Sequence, residues 1–150
     1  MFEATDNRLL FSLGGERVSI EPWGKNALRV RATRKNSFSG ECRALTETVD
    51  FGGVDIAIGS NSSVITNGKI SARVNANGKI VFYNGDQKLL EEFYRIKTVP
   101  TSHINSLHLA AREYKGISRG AWEINLRFES NDGEKLFGMG QYQQPYLDLA

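Results

Sequence analysis

Residues 64–91 read VITNGKISARVNANGKIVFYNGDQKLLE, and this stretch decides the fold class. The dipeptide Asn-Gly occurs in it three times, at 67–68, 77–78 and 84–85, with short runs of alternating apolar and polar residues between. Asparagine and glycine both tolerate the positive φ angles of type I′ turns, so each dipeptide predicts a hairpin turn. The result is an antiparallel meander with its core-facing side chains on one face. These are Ile70, Ala72 and Val74, joined from the next strand by Ile80 and Phe82.

Further strands are predicted on the N-terminal side of the meander. Arg8–Leu13 and Arg17–Ile20 are joined at Gly14-Gly15, a dipeptide typical of hairpins. Alternation from Leu28 to Thr33 and the short apolar run Val54–Ile58 indicate two more. We find no convincing long helix, and many short strands with Gly and Asn turns between them indicate an all-β, antiparallel sandwich or barrel.

The C-terminal third contains a strictly alternating run at Trp122–Phe128, followed by a turn at Asn131-Asp132-Gly133. This pattern predicts a strand with one buried face, formed by Trp122, Ile124, Leu126 and Phe128. Two segments before it, Phe93–Pro100 and Thr101–Gly120, are ambiguous between strand and irregular structure. The chain ends at Ala150 without a closing element, which favours a piece of a longer protein.

Composition excludes several classes of function. The net charge of +2 in 150 residues is too small to indicate nucleic acid or an anionic membrane as a partner. No run approaches the ~20 apolar residues of a membrane span. Cys42 is alone, and no Cys/His cluster has zinc spacing, so we expect no disulfide, metal or cofactor. The N-terminus has an early acid and no long apolar run, which predicts a cytoplasmic protein if Met1 is the native start.

Few side chains suit catalysis. His103 and His108 have no acid or thiol in a telling position beside them, and Cys42 has no neighbouring base. Asp50 and Asp55 flank a Gly-Gly turn and are better explained as solvated loop acids than as a catalytic pair. We therefore predict no catalytic residues in this chain.

The segment after Gly138-Met139-Gly140 suits carbohydrate binding. Gln141, Tyr142 and Gln144 place amides and an aromatic ring in a loop framed by Gly and Pro. Amides both donate and accept hydrogen bonds, and aromatic faces stack on the C–H surfaces of sugars. A polar linker explains the same composition equally well.

The run Phe128–Gln141 resembles the end of the N-terminal β-sandwich in glycoside hydrolase family 31, the α-glucosidase and α-xylosidase family. Family members typically have a strand, a Gly turn, an aromatic residue and then Gly-Leu-Gly followed by Glu or Gln. Here Phe137 is the aromatic residue, Met139 replaces Leu and Gln141 fills the last position. The meander and the strand at Leu28–Arg31 also resemble that domain, so the resemblance covers most of the chain.

The resemblance implies a galactose-mutarotase-like β-sandwich that precedes a (β/α)₈ barrel. Family members are retaining exo-acting enzymes that cleave terminal α-linked glucose or xylose with two barrel carboxylates. Neither catalytic motif occurs here, so the chain alone is expected to be inactive. Residues 1–141 would form the domain and 142–150 the start of the connection to a barrel of the same polypeptide. Gln141, Tyr142, Gln144 and Asp148 would lead toward the mouth of the pocket, where the full enzyme binds an oligosaccharide.

Two other functions stay open. One is a free-standing carbohydrate-binding β-sandwich, which would lose glycan affinity on changes at Tyr142 or Trp23. The other is a mutarotase-like epimerase, which needs His103 or His108 in a cleft with a carboxylate. If the chain is a domain without its catalytic barrel, one face of the sandwich should be an interface whose partner is missing. That face would be apolar enough to self-associate.

Overall fold

The computed structural model describes residues 1–38, 50, 52–95, 109–118 and 120–137. These residues form eleven β-strands in three antiparallel sheets of four, five and two strands. Because no helix occurs in these ranges, none there is long and apolar enough to cross a membrane. The expectation of an all-β chain without a long helix is thus confirmed for this part of the protein.

The first sheet contains four strands in sequence order. They are β1 (Phe2–Thr5), β2 (Arg8–Leu13), β3 (Glu16–Pro22) and β4 (Leu28–Thr33). Two-residue turns join the first three strands, and all four turn residues have positive φ: Asp6, Asn7, Gly14 and Gly15. Positive φ at both central residues is the signature of a type I′ turn, whose twist matches that of the flanking strands.

The second sheet is the meander predicted from the Asn-Gly repeats, extended by one strand at its start. Its order is β5 (Val54–Ala57), β6 (Ser62–Asn67), β7 (Ile70–Asn75), β8 (Ile80–Asn84) and β9 (Gln87–Glu91). Every strand pairs with its neighbour in sequence. The prediction of an antiparallel meander is confirmed.

The predicted turn type within this sheet is wrong. Asn67 and Asn84 are the last residues of their strands, and neither has positive φ. The turns are Gly68-Lys69 and Gly85-Asp86, in which only the glycine has positive φ, at +62° and +57°. A glycine with positive φ at the first central position is typical of a type II′ turn. Glycine takes this conformation without a clash because it has no Cβ. The asparagine therefore needs no positive φ and keeps the extended backbone of the strand.

The core lies between the two large sheets. Eight side chains with at most 2% exposure form it: Leu9, Phe11, Val18 and Ile20 from the first sheet, and Ile65, Ala72, Val74 and Ile80 from the second. Strands β2 and β3 lie opposite β6, and β4 lies opposite β7. Face-to-face packing of two antiparallel sheets is a β-sandwich, as predicted.

The third sheet is a hairpin of β10 (Arg112–Gly116) and β11 (Trp122–Leu126). Single bridges join its base to the chain that continues β9, between Glu92 and Phe128 and between Arg95 and Leu109. The segment Thr101–Gly120 was ambiguous between strand and irregular structure, and its part Arg112–Gly116 is a strand, β10.

The buried face predicted for this hairpin is wrong. Strand β11 exists, but Trp122, Ile124, Leu126 and the following Phe128 are 44–57% exposed. Alternation shows which side chains share a face of a strand, whereas burial depends on what lies opposite that face. Across from this face, the described residues leave a cleft.

Candidate functional site

Arg112 of β10 is the centre of a buried polar network. Its Nη1 lies 2.5 Å and 2.6 Å from the two carboxylate oxygens of Glu92, which directly follows β9. Its Nε donates to Glu16 Oε1 at 2.6 Å, and its Nη2 donates to the carbonyl of Gly78 at 2.7 Å. The guanidinium therefore connects the hairpin to the start of β3, the end of β9 and the β7–β8 turn.

The two carboxylates have further partners. Glu92 Oε2 accepts the backbone N–H of Ile80 at 2.8 Å, and Glu16 Oε1 accepts the hydroxyl of Tyr114 at 2.7 Å. The side chains of Arg112 and Glu92 are only 4% and 5% exposed. Buried charges of this kind are stable when they are paired and hydrogen-bonded, as they are here.

Burial shifts the pKa values of this network. Desolvation raises the pKa of Glu92, against the lowering effects of the Arg112 charge and hydrogen bonds. Burial alone would lower the pKa of Arg112, but hydrogen bonds to Glu16 and the charge of Glu92 outweigh it and raise that pKa. Burial and the hydrogen bond to Glu16 raise the pKa of Tyr114.

The network does not have the chemistry of a retaining glycosidase. Such an enzyme needs one carboxylate free to attack the sugar and one carboxylic acid free to protonate the leaving group. Glu92 and Glu16 instead share one arginine, which is hydrogen-bonded to both. The geometry indicates a structural role, in which the ion pairs fix the hairpin against the sandwich.

Beside the network lies an apolar cleft of about 240 Å³. The hairpin side contributes Ile124, Leu126 and Phe128. The sandwich side contributes Val30 and Ala32 of β4 with Phe82 and Leu90, and Glu92 and Arg112 complete the lining. The cleft separates β4, an edge strand of the first sheet, from the hairpin.

A second cleft, of about 440 Å³, lies against the first sheet. Its polar lining includes Glu3, Arg8, Ser12, Arg17 and Ser37, and Phe11 and Phe38 also line it. Arg17 Nη1 donates to the carbonyl of Asn36 at 2.5 Å, so this arginine is held in place. Charged groups next to aromatic rings are a chemistry that suits polar organic ligands.

Trp23 lies in a loop that is fixed from the second sheet. Asn67, 1% exposed, donates from Nδ2 to the carbonyls of Gly24 and Ala27, both at 2.7 Å. The guanidinium of Arg29 lies 4.7 Å from the centre of the Trp23 ring. One face of the indole is therefore already covered, which weakens Trp23 as a platform for sugars.

The candidate site residues from the sequence fall mostly outside the described part of the chain. This holds for Gln141, Tyr142, Gln144 and Asp148, and also for His103, His108 and Cys42. Their predicted roles are neither supported nor contradicted by the geometry. Asp50 and Asp55 are described and exposed, as expected for solvated acids. Within the described ranges, no group of three or more His, Cys, Asp or Glu residues could hold a metal ion.

Sequence reasoning missed the Arg112 network and both clefts. Arg112 is separated by 96 residues from Glu16 and by 20 from Glu92. The one local signal was Glu92 itself, an acid beside Phe93 in a segment with weak alternation. Such an acid can be recognised as buried only after its strand has been placed.

Comparisons with known proteins agree with the fold. No protein-family model matches the sequence. An uncharacterized family 31 glucosidase, ORF2, of Pseudescherichia vulneris is 40% identical over 142 residues, covering 88% of this chain and 27% of that protein. The crystal structure of a GH31 α-xylosidase from a soil metagenome, complexed with xylose, matches with a TM-score of 0.85 and 38% identity.

The structural match covers 99% of this chain and 23% of the α-xylosidase chain. The present chain thus spans about a quarter of the length of either relative. Sequence identity near 40% together with agreement over the whole sandwich goes well beyond a shared fold class. The chain is therefore a β-sandwich that is similar, in both sequence and structure, to part of glycoside hydrolase family 31 enzymes.

Proposed function

We propose that this chain is the non-catalytic N-terminal domain of a retaining, exo-acting α-glycosidase. The parent enzyme would hydrolyse terminal α-linked glucose or xylose, and this domain would support the catalytic barrel and shape the mouth of its pocket. The observation that carries the proposal is the structural match. Almost all of this chain corresponds to less than a quarter of an α-xylosidase.

The chemistry of the described residues favours a non-catalytic role for this domain. Their most buried carboxylate, that of Glu92, is hydrogen-bonded to Arg112 and to the Ile80 N–H, which leaves it unsuited to attack a sugar. In the proposed enzyme, both reacting carboxylates belong to the barrel and lie ~5–5.5 Å apart. The domain would contribute binding groups only, from the segment that contains Gln141, Tyr142, Gln144 and Asp148.

Activity measurements on two proteins test the proposal. One is the 150-residue chain, and the other is the polypeptide encoded by the full reading frame that contains it. We expect the longer protein to hydrolyse an aryl α-xyloside or aryl α-glucoside and the 150-residue chain to release no product. Turnover by the short chain would overturn the non-catalytic assignment, and an inactive, folded long protein would overturn the glycosidase assignment.

A matched pair of variants tests the binding role. In the longer protein, Tyr142→Ala should raise KM for the aryl glycoside. Tyr83→Ala should leave KM unchanged, because Tyr83 is outside the segment proposed to form the pocket mouth. It lies on β8 of the meander, with Arg73 over its ring. Equal KM values for the two variants would remove Tyr142 from the proposed pocket mouth.

The second candidate is a carbohydrate-binding module, and the 440 Å³ cleft favours it. If this function is right, the 150-residue chain should bind a glucose or xylose oligosaccharide in calorimetry. Arg8→Ala, which alters the cleft, should weaken that binding, whereas Arg73→Ala on the other sheet should not. Absence of heat with both sugars at millimolar concentration would exclude the module.

A further inference from the structure

The β10–β11 hairpin has two chemically different faces. On one face, Trp122, Ile124 and Leu126 form a continuous apolar row that Phe128 extends, and all four are 44–57% exposed. Single exposed apolar residues are ordinary on a protein surface, but a contiguous row marks a site of interaction. We call this row the β11 face.

The opposite side of the hairpin is suited to water. Arg127 Nη2 lies 2.5 Å from Glu113 Oε2, and Lys115 Nζ lies 4.0 Å from Glu123 Oε2. Glu123 and Glu113 alternate in register with the apolar residues, so they project to the other side of the sheet. The hairpin is therefore amphipathic in the manner of a strand pair with one face covered.

The surroundings of the β11 face determine which partner fits. Val30, Ala32, Phe82 and Leu90 line the other wall of its cleft. The polar groups in the lining, Arg112 and Glu92, already bind each other. A glycan placed there would leave hydroxyl groups without hydrogen bonds, which costs free energy, whereas apolar side chains would fill the cleft without this cost.

We propose that the β11 face and its cleft are the surface on which the remainder of the same polypeptide docks, through apolar side chains. This inference rests on the proposed function and names the face that contacts the catalytic part. The α-xylosidase relative has more than three quarters of its chain beyond the matched part. A permanent partner in the same chain fits an apolar surface, because permanent interfaces are more hydrophobic than transient ones.

Oxidative footprinting of the two tryptophans tests the proposal. Trp122 lies on the β11 face, and Trp23 lies in the loop beside Arg29 and serves as the internal reference. In the 150-residue chain, hydroxyl radicals should oxidise Trp122 readily. In the full-length protein, we expect Trp122 to be protected while the oxidation of Trp23 is unchanged.

A matched pair of leucine variants provides the control. Leu126→Glu places a charge on the β11 face, and Leu89→Glu places one on a leucine of β9 that is 40% exposed. Leu89 is the extra residue at the irregularity in the β8–β9 pairing, and it does not line the cleft. In the full-length protein, only Leu126→Glu should restore oxidation of Trp122. Both variants of the 150-residue chain should keep the wild-type unfolding midpoint, which shows that they fold.

The outcomes separate this inference from the proposed function. An active full-length glycosidase with unprotected Trp122 would overturn the docking surface and leave the proposed function intact. Protection of Trp122 in a full-length protein without glycosidase activity would overturn the proposed function and leave the docking surface intact. Protection that appears already in the 150-residue chain and increases with its concentration would assign the face to a second copy and overturn the proposal.

Discussion

Nη1 of Arg112 lies within 2.6 Å of both carboxylate oxygens of Glu92, and this contact joins the hairpin to the edge of the five-stranded sheet. Arg112 lies on β10 and Glu92 directly follows β9, and both residues are almost fully buried. Since Arg112 also binds Glu16 and the Gly78 carbonyl, loss of its side chain would leave several buried acceptors without a donor.

Arg112→Ala is expected to lower the free energy of unfolding by about 3–5 kcal/mol, because it leaves the Glu92 carboxylate buried without its counter-ion. Arg127→Ala is the control, since Arg127 and its partner Glu113 are 32% and 56% exposed. It should cost no more than about 1 kcal/mol. Urea denaturation measures both, and equal losses would show that the buried Arg112 network stabilises the protein no more than the exposed ion pair does.

Glu91 should make stability depend on acidic pH. Hydrogen bonds from Lys79 and Lys88 hold the pKa of Glu91 at about 2, below the ordinary value of 4.5. A depressed pKa in the folded state stabilises the protein fully above the unfolded pKa, and this contribution is lost as pH falls toward 2. Thermal unfolding between pH 5 and pH 2 should therefore show a smaller decrease in Tm for Glu91→Gln than for the wild type. Glu123→Gln, which alters an exposed ion pair 4.0 Å long, should follow the wild type; if Glu91→Gln does so too, the predicted linkage is wrong.

Two glycine variants separate backbone strain from packing. Gly85 has φ +57° and nothing within 4 Å of an added Cβ, so Gly85→Ala should cost only the left-handed conformation, about 1–2 kcal/mol. Gly68 has φ +62°, and a Cβ there would collide with Oδ1 of Asn26. That oxygen accepts the Lys69 N–H at 2.7 Å, so Gly68→Ala should also disturb this bond and cost more. Chemical denaturation gives the difference, and equal costs would mean that Asn26 moves aside freely.

Asn67 should be far more important for stability than the other turn asparagines. Asn67→Ala removes two hydrogen bonds to buried or partly buried carbonyls, a loss of about 2 kcal/mol. Asn84→Ala, at an exposed strand end in the same sheet, is the matched control and should be nearly neutral. The two midpoints of urea unfolding decide the matter, and a neutral Asn67→Ala would show that water replaces the lost donor.

The sandwich was largely predictable from local patterns. Alternation and Asn-Gly dipeptides mark strands and turns that are neighbours in sequence, and each meander strand pairs with the next one. The strand at Trp122 was predictable for the same reason. Its exposure was not, because burial depends on segments far away along the chain.

The Arg112 network lay beyond local patterns, since its members are up to 98 residues apart in the sequence and come from different parts of the fold. Resemblance supplied what the residues alone did not, namely the family, and the two relatives agree with it. The roles of Gln141, Tyr142, Gln144 and Asp148, the domain boundary at residue 141 and the cytoplasmic location stay predictions.

The three Asn-Gly dipeptides of the meander are also sites at which the stored protein can deamidate. Asparagine before glycine deamidates readily, because the unhindered glycine nitrogen attacks the side-chain amide and forms a succinimide. Asn77 and Asn84 are exposed, whereas the Asn67 amide is buried and donates to two carbonyls. Peptide mapping after mild alkaline incubation should find aspartate and isoaspartate at Asn84 and Asn77 well before Asn67. Stored protein would then gain negative charge at two turns of the second sheet while the Trp23 loop keeps its attachment.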